Sequence, residues 1–72
     1  MNAKHNLEFL IRLKSLLSNP MAKNEAIEII QEIDEQEQTE LLYNIKWQLK
    51  SPSFLREWCI NEVSTAIRKE FN

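Results

Sequence analysis

The sequence predicts an all-α domain: a compact bundle of three to four helices, arranged as two helical hairpins. Three observations carry that prediction. The 72 residues include no glycine and two prolines, which removes the positive-φ positions that tight β-hairpins rely on. The composition is rich in Leu, Ile, Glu, Lys, Gln and Asn, and suits helices. Apolar residues recur at three-to-four spacing in successive stretches, punctuated by Asn19-Pro20 and Ser51-Pro52. The chain reads as a single domain over 1–72, because this length leaves room for one small core only.

The first helix is expected from about Asn6 to Leu17, with Asn6 as a candidate N-cap and 3–5 as a possible extension. Phe9, Leu10, Leu13, Leu16 and Leu17 mark one face. Asn19-Pro20 ends it, since a residue before proline disfavours helical backbone. The second helix is expected over Pro20 to Ile33, with Asn19 as its cap and Pro20 in its first turn. Ala22, Ala26, Ile29, Ile30 and Ile33 form its stripe. Asp34 and Glu37 have the spacing of a capping box, so the third helix is expected from about Glu35 to Lys50. Its stripe is Gln38, Leu41, Leu42, Ile45 and Leu49, with Lys46 and Lys50 suiting the negative C-terminal end. The fourth helix is expected from Pro52 to about Glu70. Leu55, Cys59, Val63, Ala66 and Ile67 form its stripe, widened by Ile60 and Phe71.

The first and third segments align without a gap at an offset of 32 positions. Glu8 meets Glu40, Phe9 meets Leu41, Leu10 meets Leu42 and Leu13 meets Ile45. Lys14 meets Lys46, Leu17 meets Leu49, Pro20 meets Pro52 and Glu25 meets Glu57. Beyond that glutamate the apolar register slips by about two, so that Ile33 matches Ile67. The pattern of helix, Asx/Ser-Pro turn and helix resembles a HEAT-type hairpin, without assigning a family. Two hairpins fall short of the roughly three repeats that an open stack needs, which favours a closed four-helix unit or a dimer.

Composition excludes several classes of function. Without glycine there is no P-loop and no dinucleotide fingerprint. One cysteine (Cys59) and one histidine (His5) cannot close a four-ligand zinc site, and a single Asp leaves no calcium loop. No cofactor or metal is expected. A lone Cys59 makes no internal disulfide, and an unstapled domain of this size fits a reducing cytoplasm. No apolar run approaches the ~18 residues of a membrane span. The net charge of −2 lacks the basic excess of a typical DNA binder, so nucleic acid is not an expected partner. Cys59 lies on an apolar stripe and reads as a buried hydrophobe, and nothing places His5 beside it. An enzyme is therefore not expected.

Two features stand apart from this frame. Seven acids (Glu25, Glu28, Glu32, Asp34, Glu35, Glu37 and Glu40) fall between positions 25 and 40 with no Lys or Arg among them. Such an acidic edge suits a solvated face, and it could also steer a basic partner. Tyr43 and Trp47 lie opposite the apolar stripe of the third segment, four residues apart, and Phe54 and Trp58 repeat that spacing in the fourth. With Lys46, Lys50 and Arg56 expected around them, these rings either complete the core against the first hairpin or anchor a partner, since Trp, Tyr and Arg dominate interface hot spots. The expected function is a small non-catalytic protein-binding module. It would be a bacterial or phage regulator or inhibitor that covers a partner surface or forms a homodimer. The alternative is a transcription-associated helical protein, either an acidic co-regulator or a helix-turn-helix binder that reads DNA with Arg56, Arg68 and Lys69 of the fourth segment. Glu57, Glu62 and Glu70 on the same segment oppose phosphate contact.

Overall fold

The computed structural model describes residues 3–33 and 39–70 of the chain. Among them are four α-helices and no strand: α1 (Ala3–Leu17), α2 (Lys23–Gln31), α3 (Glu40–Lys50) and α4 (Arg56–Glu70). Each helix packs on the next, and α4 returns to pack most extensively on α1. The ring therefore closes, and the two hairpins form a bundle rather than an open stack.

Neighbouring helices run in opposite directions. Leu16 and Leu17 at the end of α1, Lys23 and Ala26 at the start of α2, Leu49 near the end of α3 and Arg56 at the start of α4 share one cleft. At the other end, Leu10 lies with Thr39, Leu41 and Leu42 and with Ala66, Lys69 and Glu70. Inside the ring, Leu10, Leu13, Leu17, Ala26, Ile29, Ile30, Leu42, Ile45, Leu49, Cys59 and Val63 form one buried cluster. Its members follow the sequence stripes closely, because burying those faces is the main favourable term available to so small a chain.

Helix boundaries depart from expectation in instructive ways. α1 begins at Ala3, so Asn6 lies within it and does not cap it. Asn19 is a cap, but of a 3-10 turn over Pro20–Ala22 that precedes α2. The Met21 N–H donates to Asn19 Oδ1 at 3.0 Å. α3 takes Thr39 as its N-cap, with the Leu42 N–H donating to Thr39 Oγ1 at 3.3 Å. The Asp34–Glu37 box lies outside the described residues, as do Gln38 and Phe71. α4 begins at Arg56 and not at Pro52, which lies in the turn. Leu55, placed on the core stripe by the longer helix, stands 57% exposed just before that start.

The echo between the hairpins is structural as well as textual. At an offset of 32, Leu10 and Leu42, Leu13 and Ile45, and Leu17 and Leu49 are all buried. The turns repeat too. The Asn19 N–H donates to the Leu16 carbonyl and the Ser51 N–H to the Gln48 carbonyl, both at 3.1 Å. The Ser53 N–H donates to Ser51 Oγ at 3.2 Å, as the Met21 N–H does to Asn19. Asn19 and Ser51 both have the extended backbone that a following proline imposes. The second helices then start at Lys23 and Arg56, an offset of 33. Ala26 pairs with Cys59 and Ile30 with Val63, all buried, and Ile33 pairs with Ala66, both packed against the cluster. The register therefore slips by one residue, not two, and that extra residue sits in the second turn.

Candidate protein-recognition surface

The site is built on the outer side of α3 and the start of α4. The buried stripe of α3 turns Leu42, Ile45 and Leu49 inward. Helical periodicity then sends Tyr43, Asn44, Trp47 and Lys50 outward, and all four are exposed. Trp47 is 60% exposed, Tyr43 50% and Trp58 39%. Tyr43 and Trp47 meet edge to face, with ring centres 6.2 Å apart and planes at 67°. The Lys46 ammonium lies 5.5 Å from the Tyr43 ring centre, a cation–π contact.

Two depressions share Trp47 as a common wall. One, of about 220 Å³, is lined by Tyr43, Lys46, Trp47 and Lys50 and carries positive charge. The other, of about 420 Å³, runs between α3 and α4 and is lined by Asn44, Trp47, Gln48, Ser51 and Trp58. No charged side chain lines this second groove. Gln48 Oε1 accepts the Leu55 N–H at 3.4 Å, tying α3 to the entry of α4. Ser51 Oγ is held by Ser53 on both its backbone and its hydroxyl.

Tyr43 and Lys50 thus adjoin Trp47 across one depression and Trp58 adjoins it across the other, and Phe54 does not join them. Because α4 starts at Arg56, Phe54 lies in the turn, and the four-residue helical spacing to Trp58 does not apply. Its ring is half-buried against the core instead. The Lys23 ammonium and the Arg56 guanidinium lie over it at 5.2 and 5.4 Å from its centre. Arg56 is accordingly engaged at the hairpin end rather than beside the tryptophans. Asn44 and Gln48 were not singled out from the sequence. The signal available was their four-residue spacing on the side of α3 that faces α4.

Of the acidic edge, Glu25, Glu28 and Glu32 are exposed on α2 and its C-terminal cap, on the side opposite the core. Glu35 and Glu37 lie outside the described residues, as does the side chain of His5. Cys59 is fully buried, and burial, reinforced by the negative charge of Glu62, pushes its thiol up to about 11. That environment makes a poor nucleophile at neutral pH, because the thiolate is the reactive form. Among the described residues no three of His, Cys, Asp or Glu gather as metal ligands, and no helix is long and apolar enough to cross a membrane.

No family model, curated protein or solved structure matches this chain.

Proposed function

We propose that the protein is a small non-catalytic protein-binding module that recognises its partner through Trp47, Tyr43, Lys50 and Trp58. One observation carries this reading. The two hairpins share backbone positions, so each site in the second has a counterpart in the first. The counterparts of Trp47 and Trp58 are Ser15 and Glu25, both exposed. The scaffold therefore needs no large ring at either place. Large exposed rings are unfavourable to keep wet, and they are the residue types that dominate interface energetics.

A module of this kind acts by covering a partner surface, which fits a regulator or inhibitor. The reduced, buried Cys59 suits a cytoplasmic setting. The partner is a different protein or a second copy of the chain. Affinity capture from the native host, run beside light scattering of the pure protein, tests the reading. Trp47→Ala is expected to abolish either the captured partner or the dimer, at unchanged helicity. Capture and assembly that both persist in Trp47→Ala and in Trp58→Ala would overturn it.

A further inference from the structure

The eleven acids and nine basic residues of the chain are not evenly mixed. Two stretches, 9–24 and 41–56, contain no acid, so all eleven lie outside them. Those stretches hold six of the nine Lys and Arg residues: Arg12, Lys14 and Lys23 in one, Lys46, Lys50 and Arg56 in the other. They stand 32 positions apart, and each runs through one of the two turns. Because neighbouring helices run in opposite directions, both turns lie at one end of the bundle. There Lys23 from the first and Arg56 from the second lie over the Phe54 ring.

Four cations gather at this end. Lys50 closes α3, Lys23 and Arg56 open α2 and α4, and Lys14 lies about 4.5 Å along the axis from the end of α1. Among the described residues the acids at the same level are Glu25 and Glu57, in the first turns of α2 and α4. Four cations against two acids leave this end positive in a chain of net charge −2. Each turn also puts an apolar side chain into solvent: Met21 is 91% exposed and Leu55 57%. The cleft behind them, between Leu17, Ala26, Leu49 and Phe54, has no room for a ligand. The end therefore offers projecting tips and no socket.

A nucleic-acid backbone would answer the cations but offers no apolar phase to the tips. An acidic protein would need a separate apolar socket for each tip. A bilayer surface answers both demands without a shaped socket, since anionic headgroups attract Lys and Arg while the acyl boundary takes apolar side chains. Leu55 precedes Arg56 directly and Met21 lies two residues before Lys23, so each tip has a cation just behind it, whose stem can reach back to the headgroups. Contact of this kind needs no spanning helix.

We infer that the turn end of the bundle docks on an anionic lipid surface. Met21 and Leu55 enter the headgroup layer, and Lys14, Lys23, Lys50 and Arg56 meet its phosphates. This contact does not rest on the reading of the aromatic face.

Co-sedimentation of the full chain with vesicles is the test. Phosphatidylglycerol mixed equally with phosphatidylcholine is the probe, and phosphatidylcholine alone is the control. Binding to the mixed vesicles is expected to exceed that to the control at least about tenfold, and to fall as steeply when salt rises from about 0.05 to about 0.5 M. Met21→Ser combined with Leu55→Ser should weaken binding at least about tenfold at unchanged helicity, since both side chains lie outside the core. Lys14→Gln combined with Lys50→Gln should do the same. Tyr43→Ala, about two helical turns from this end on α3, should leave binding unchanged. Polyglutamate and a DNA duplex are the competing anions. No binding to the mixed vesicles, equal binding to the control, or indifference to the loss of Met21 and Leu55 would overturn the inference. So would a loss in Tyr43→Ala as large as that of the turn variants, which would move the contact to the aromatic face. Polyglutamate or the duplex bound as tightly as the vesicles would overturn it too, in favour of an acidic protein or a nucleic acid.

Discussion

Leu49→Ala is expected to leave the protein largely unfolded at room temperature. Leu49 is 1% exposed and lies in the cleft where the end of α1, the start of α2 and the entry to α4 converge on α3. Removing its branched end strips contacts from every helix at once, and a rigid ring of four helices cannot close over the gap. Truncating a buried leucine costs about 2–5 kcal/mol, and a core of this size supplies only about 3–5 kcal/mol in all. Leu42→Ala, 3% exposed at the opposite end of α3, should cost a similar amount. Thermal and urea unfolding followed by circular dichroism measure both. A Leu49→Ala variant that melts with the native protein would place Leu49 outside the core.

The second large effect is on pH dependence. Desolvation by burial, with the charge of Glu62 behind it, holds the Cys59 thiol at about 11 against an ordinary value of 9.0. The folded state therefore keeps this proton when the unfolded chain has lost it. Stability rises with pH only where the unfolded state binds more protons, and here it binds fewer. The contribution of Cys59 is thus constant below pH 9 and declines from there towards pH 11. The total loss is roughly 2–3 kcal/mol, from about 1.4 kcal/mol per unit. Cys59→Ala removes this part of the alkaline slope. Denaturant midpoints of both proteins between pH 8 and 11 provide the check; parallel curves would show that the thiol is not sealed in the core.

The sequence made the helices legible where one face had to be buried. Leu10, Leu13 and Leu17, then Leu42, Ile45 and Leu49, could be assigned to a core by spacing alone, because a helix of this length has one way to hide them. Helix ends were less legible, because they depend on local polar competition. Thr39 just before the apolar run of α3 is a cap signal, and the acidic run upstream competed with it for the same role. Four residues, Pro52 to Leu55, precede α4 where three, Pro20 to Ala22, precede α2, and nothing in Ser51-Pro52-Ser53 announces that difference. The misplacement of Phe54 beside Trp58 and of Leu55 in the core follows from the start of α4 at Arg56 and not at Pro52.

The recognition surface was legible in outline. The opposition of Tyr43 and Trp47 to the α3 stripe follows from helical geometry. Trp58 joins them because the second turn folds α4 back along α3. The polar lining between the two indoles was hidden, because Asn44, Gln48 and Ser51 meet Trp58 only once α4 lies against α3. The asymmetry between the hairpins was hidden as well, since matching Trp47 to Ser15 and Trp58 to Glu25 needs the true register of both helix pairs.

That asymmetry makes one measurement decisive: the melting temperature of Trp47→Ala beside that of the native protein. A tryptophan held outside the core changes stability by no more than about 0.5 kcal/mol when truncated, which moves the midpoint of so small a domain by only about 2–4 °C. A midpoint within that range is the predicted result. A fall comparable to that of Leu49→Ala would mean that the ring serves the fold, and would contradict the account.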